Sequence, residues 1–231
     1  MGPVLLTGFQ PYASRGSNPA FEIMQALDGK TIVGAHIVGR ALPVSIASIR
    51  SKAQDIVEEL HPSVIISVGL WPGEPVVRLE RVGLNVADFE IADNEGALWQ
   101  DRSISHNGPH ARSATLPLKK IEQGLLEAGI PARISSSAGT YLCNACLYSF
   151  LEVVEQQENQ IPCGFIHVPY KPEQVAELIV DIKQAQQLEQ HQRADLASME
   201  LSRSIQAVEI AVRTTIQSVG SFKSHAGFAG A

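Results

Sequence analysis

Cysteine, positive charge and long apolar runs are all scarce in this chain. Three cysteines in 231 residues are too few for the disulfide framework of a small secreted domain. Eighteen Lys and Arg stand against 24 Asp and Glu, a formal net charge of −6. Phosphate binding needs a basic stripe and none appears, so no nucleic-acid partner is expected. No window approaches 18 consecutive apolar residues, the length that suggests a membrane-crossing helix, so no membrane partner is expected. Met1 to Thr7 carry neither a basic segment nor a long apolar stretch, and they do not read as a signal peptide. Repeats and low-complexity linkers are also missing. The expectation is a soluble, cytoplasmic protein.

Short apolar runs alternate with helical patterns along the chain. Val4–Gly8 reads as a strand that runs into a loop. Asn18-Pro19 reads as a helix cap followed by proline at the first helical position, and Gly29 closes that helix. A second strand is expected within Ala35–Leu42. Ser45–Leu60 is amphipathic, with Ile46, Ile49, Ala53, Ile56, Val57 and Leu60 on one face, and Pro62 follows its end. Ser63–Leu70 (SVIISVGL) has the continuous apolar character of a buried parallel strand. Pro72–Asp93 reads as extended and irregular, and Asn94–Pro117 as a polar surface excursion. Helices are expected over Leu118–Ala128, Leu142–Gln156 and Leu196–Val219, and strands over Arg133–Ser136 and Gly164–Val168. The fold class is therefore α/β, a three-layer α/β/α sandwich with a mostly parallel central sheet. One domain is expected over residues 1–219, followed by a Gly/Ala/Ser-rich flexible tail over 220–231.

Active sites of such sheets lie beyond the carboxyl ends of the strands. Those positions hold Phe9 and Tyr12, then Trp71 and Glu80, then the Cys143 stretch and His167. Cys143 and Cys146 stand three apart after a glycine turn. A redox pair is one reading, but the pair does not follow a first strand as a thioredoxin-like motif does. A zinc site is another, but Cys163 has no ligand beside it and Gly108-Pro109 breaks the His106/His110 spacing. No metal and no cofactor are expected. Helical phase puts Cys146 in an apolar stripe with Leu147, Phe150, Leu151 and Val154, a core position. Cys163 reads as structural or edge-exposed. Cys143 falls on the first helical turn, where the helix dipole favours a thiolate and free N–H groups can hold an oxyanion. A nucleophilic cysteine also needs a base and an orienting group. His167 and Glu80 are candidates, although a lone histidine in an apolar run suits a core and Glu80 suits a surface ion pair with Arg78 or Arg81.

Several separated stretches resemble one family. Gly8 to Ala20 contains G-F-Q-P-Y-A-S followed by N-P-A, against a family opening of G-F-[ED]-P-F-G-G and N-P-S. Glu80 to Asn85 reads E-R-V-G-L-N, and Asp93 to Gly96 reads D-N-E-G. Ala138–Tyr148 is A-G-T-Y-L-C-N-A-C-L-Y, and Gly164–Tyr170 is G-F-I-H-V-P-Y. The chain resembles pyroglutamyl peptidase type I, a family of cysteine peptidases, with matches from residue 4 to residue 170. The resemblance implies Cys143 as nucleophile, His167 as general base and later acid, and Glu80 as the group that orients the imidazole. It implies Phe9 and Tyr12 as an aromatic pocket for the flat lactam ring. It also implies peptide substrates with N-terminal pyroglutamate and a homo-oligomer, commonly a tetramer.

The chain departs from the family pattern at three places. Gly69 is followed by L-W-P-G-E-P where the family has G-Q-A-x-G-R. Glu90 stands where the family has an arginine, three residues before the aspartate of D-N-x-G. Tyr12-Ala13-Ser14 replaces F-G-G. Two other readings are consistent with these changes: a related cysteine hydrolase of another small cyclic amide, and a weakly active or non-catalytic member of the fold.

Overall fold

The computed structural model describes residues 2–12, 16–157, 160–185 and 197–226. The elements run β1 (Val4–Phe9), α1 (Pro19–Leu27), β2 (Thr31–Ile32), β3 (Ala35–Leu42), α2 (Ile46–Leu60), β4 (Val64–Leu70), β5 (Val77–Glu80), β6 (Val82–Leu84) and β7 (Ala111–Ser113). Next come α3 (Leu118–Glu127), β8 (Ala132–Ser135), α4 (Leu142–Glu155), β9 (Cys163–Val168), α5 (Pro172–Ala185) and α6 (Leu201–Ala226). Seven strands form one sheet in the order β2-β3-β1-β4-β9-β5-β8. β3, β1, β4 and β9 are mutually parallel, and β5 enters antiparallel beside β9. The fold is the expected α/β sandwich with a mostly parallel sheet.

Alternation along the strands gives the sheet two different faces. Val4, Leu6, Val64, Ile66, Val68, Leu79 and Ile166 point to one side, into a core shared with α1, α3 and α6. Leu5, Phe9, Ile65 and Phe165 point to the other, against α2 and α4. Local chemistry sets the helix starts. Asn18 accepts a hydrogen bond from the Ala20 N–H at 3.1 Å, with Pro19 in the first turn. α2 is capped from a distance: Ser45 makes no side-chain capping bond, and Asp93 Oδ2 accepts from the Ile46 N–H at 2.8 Å. Asp93 Oδ1 also accepts from the N–H groups of Glu95 and Ala97, at 2.9 and 2.8 Å.

Some boundaries differ from the expectation. The polar excursion over Asn94–Pro117 contains β7, which pairs antiparallel with β6 in a separate two-stranded sheet. α5 lies in a stretch for which the sequence pattern gave no element. The final helix begins at Leu201 rather than Leu196, which lies outside the described residues, and it continues past Val219 to Ala226. A single glycine such as Gly220 costs about 1 kcal/mol of helix propensity and does not by itself end a helix. The remainder of the expected tail, residues 227–231, lies outside the described residues.

Candidate active site

Sheet register brings the expected residues together. His167, near the end of β9, pairs with Gly69 of β4 on one side and with Arg78 of β5 on the other. Glu80, two residues beyond Arg78, shares the face of Arg78 because strand side chains alternate. Glu80 is fully buried and His167 is 1% exposed. The His167 Nδ1–H donates to Glu80 Oε1 at 2.8 Å. Burial pulls the imidazole pKa below its ordinary value, opposed by Glu80 and reinforced by Arg78. Glu80 does pair with Arg78, at 3.0 Å, but the pair is buried and not the surface ion pair that the sequence suggested.

Cys143 enters from above the same face, on the first turn of α4. The turn before it is left-handed at Gly139, with φ of 77°, a conformation that favours glycine. The helix N-cap is Tyr141, whose side chain makes no capping bond. The N–H groups of the first turn are thus left without a side-chain cap. Gly69 makes room for the sulfur: a Cβ built there would lie 2.8 Å from Cys143 Sγ and 2.7 Å from Phe165 Cζ. Asn144, fully buried, holds α4 against the β6 region, accepting from the Leu84 N–H at 2.8 Å and donating to Leu84 O and Val86 O. Burial pushes the Cys143 thiol well above its ordinary range, and the nearby Cys146 and Glu80 add to this. This opposes the thiolate expected at the helix N-terminus.

The other cysteines are structural. Cys146 is on α4, fully buried, and donates to Ser67 Oγ at 3.6 Å, and burial raises its thiol pKa to about 12. Cys163 is the first residue of β9 and fully buried, so it is not edge-exposed. Among the described residues, no group of three His, Cys, Asp or Glu side chains could hold a metal ion.

Cys143 and His167 open onto a cavity of about 340 Å³, which Phe9, Tyr12, Trp71 and Tyr141 help to line. The Tyr12 and Tyr141 rings are tilted at 6.3 Å, and Tyr141 meets Phe89 edge-on at 4.6 Å. Asp88 and Glu90 are the carboxylates among the lining residues, and both are exposed. Sequence reasoning did not find Gly69 or Arg78 as parts of this site; Trp71 was noticed at the carboxyl end of its strand and as a departure from the family pattern, without a role. Trp71 stands edge-on to His167 at 5.0 Å with Arg78 stacked 3.7 Å over its ring.

Comparison with known proteins shows the family. The profile of the pyroglutamyl peptidase family matches residues 3–218. The chain is 36% identical to the pyrrolidone-carboxylate peptidase of Bacillus cereus over 216 residues, covering 94% of each chain. It is 43% identical to that of Pyrococcus furiosus over 176 residues, 76% of this chain and 85% of the other. The structure of pyrrolidone carboxyl peptidase from Thermococcus litoralis superposes with a TM-score of 0.87 at 35% identity, covering 96% of both chains.

Proposed function

The chain belongs to the pyroglutamyl peptidase family and is a pyroglutamyl peptidase, a hydrolase that releases N-terminal pyroglutamate (5-oxoproline) from peptides; we propose that Cys143, His167 and Glu80 carry the reaction. The observation that supports this assignment most is the place of Gly69. It is in register with His167, and its missing side chain leaves the space that Cys143 Sγ fills.

With Nδ1 held by Glu80, Nε2 of the neutral His167 is the nitrogen that works on the cavity side. It takes the proton of Cys143 as the sulfur attacks the pyroglutamyl carbonyl carbon. The negative charge that develops on the carbonyl oxygen is met by N–H groups of the first turn of α4. Glu80 stabilises the imidazolium, which gives its proton to the departing amine as the C–N bond breaks. Water, deprotonated by the same imidazole, then cleaves the thioester and frees pyroglutamate. Phe9 and Tyr12 supply aromatic walls for the lactam ring. The reading extends to a cytoplasmic homo-oligomer, the tetramer that family resemblance implies. Light scattering that returns the 24.9 kDa mass of one chain would overturn the oligomer.

Turnover of a pyroglutamyl-arylamide tests the assignment. The wild type is expected to release the arylamine, and Cys143→Ala to lose on the order of 10⁴-fold or more in kcat/KM. Cys146→Ala should retain activity. A folded wild type with no turnover would remove the activity, and turnover that survives in Cys143→Ala would remove the nucleophile.

A further inference from the structure

We infer that Arg78 is a positioning residue of this site, holding Glu80, Trp71 and the loop before Cys143 in one fixed arrangement; the inference rests on the acyl-transfer reading above. Arg78 is buried at 8% exposure and sits opposite His167 in the β5–β9 pair. Its Nε–H donates to Glu80 Oε1 at 3.0 Å, the same oxygen that accepts from His167. Nη2 donates to Ser135 Oγ at 2.6 Å and to Ser137 O at 2.7 Å. Nη1 donates to Glu74 Oε2 at 3.3 Å, and Arg133 holds that same oxygen from the other side at 2.8 Å.

Each contact acts on a different part of the catalytic arrangement. Glu80 Oε2 is buried with no partner, so the carboxylate is fixed only through Oε1. Without Arg78 it is free to turn and to present the imidazole with a different oxygen. The bond to Ser137 O anchors the segment that leads through Gly139 to Cys143. The stack on Trp71 presses that ring between His167 and Gly139, where a Cβ on Gly139 would lie 3.3 Å from the indole. A flat guanidinium stacks on one face while its edge donates to four acceptors, which the ammonium of lysine does not reproduce.

The charged or titratable groups around His167 are Glu80 and Arg78 from β5, Glu74 from the turn before it, and Cys143 from α4. Arg133 balances Glu74 from β8. Arg78 opposes protonation of His167 and the two glutamates favour it. Removing only the cation therefore raises the imidazole pKa.

Two variants and two readouts test the role. Arg78→Gln is expected to lower kcat roughly 10- to 100-fold with little change in KM, and to move the acid limb of kcat/KM to higher pH. Arg78→Lys should return that limb toward the wild-type position without recovering kcat, because charge is restored and the fork is not. Titration of His167 by NMR reads the same shift with no substrate present, so the action of Arg78 on the Glu80–His167 pair is tested even if the pyroglutamyl activity fails. If Arg78→Gln does not fold, pairing it with Glu74→Gln removes opposite charges together. Unchanged kcat and an unchanged His167 titration in a folded Arg78→Gln protein would overturn the inference.

Discussion

The two faces of the central sheet are made by alternate residues of the same strands, yet they hold different chemistry. Towards α1, α3 and α6 the strands present Val4, Leu6, Ile66, Val68, Leu79 and Ile166, a side built of aliphatic packing. Towards α2 and α4 the apolar Leu5, Ile65 and Phe165 are interleaved with Thr7, Ser67, Arg78, Glu80, Ser135 and His167, all buried. Buried polar groups are costly unless paired. Here they pair across strands: Thr7 donates to Ser67 at 2.8 Å, and Arg78 joins Glu80 and Ser135. One face supplies the stability that lets the other carry a buried histidine and its carboxylate partner.

Substitutions that change one face should leave the role of the other intact. Beyond Cys143 itself, the largest effect on activity is expected from Gly69→Ala. The added methyl would lie 2.8 Å from Cys143 Sγ and press on Phe165, displacing the sulfur, and misplacing a reacting atom by about 1 Å costs on the order of 10²-fold. Retention of wild-type kcat/KM by this variant would show that the sulfur does not need that space. On the opposite face, Leu125→Ala empties a fully buried position on α3. It should cost about 2–5 kcal/mol of stability, seen as a lower Tm, while kcat/KM of the folded protein at 25 °C stays unchanged. A comparable loss of kcat/KM would mean that the two faces are coupled.

The smallest effect is one of pH. The folded state holds His167 below its ordinary value, so the unfolded chain binds more protons below about pH 6.5 and stability falls there. It holds the thiols of Cys143, Cys146 and Cys163 above theirs. The folded state then binds more protons above about pH 8.5, and stability falls on that side as well. Urea midpoints measured across pH should therefore peak between these limits. Alkylation of Cys143 should climb through the ordinary thiol range, whereas a plateau below pH 7 would indicate a resting thiolate.

The apolar face was legible in the sequence because hydrophobic runs and helical periodicity encode it directly. Ser63–Leu70 and Gly164–Val168 read as buried strands, and Asn18-Pro19 marked the start of α1. The polar face was legible only in part. Cys143 was singled out by the glycine turn and the helix start, and family motifs pointed to His167 and Glu80. β5 was not read as a sheet strand, because V-R-L-E alternates like a surface segment and its polar side in fact lines the site. Arg78 looked like a surface partner of Glu80, and Gly69 looked like an ordinary strand residue. Their roles depend on register between strands distant in sequence, which no local pattern encodes. Glu74, at the place of the terminal arginine of the G-Q-A-x-G-R pattern, now has a physical context. It binds the guanidinium groups of both Arg78 and Arg133, cations supplied by β5 and β8.

Asp93 joins the cavity wall to the body of the protein. Its two oxygens accept from Ile46 at the head of α2 and from Glu95 and Ala97 in the segment beyond Glu90 and Ile91. Asn94 donates to Pro11 O, and the Tyr141 hydroxyl to Ala92 O. The rim of the cavity is thus fastened through one short segment to three regions far apart in the chain. Detaching Asp93 frees the amides of Ile46, Glu95 and Ala97 in a single opening event. Their hydrogen exchange with solvent then reports, as one correlated group, how often the mouth loosens from the head of α2.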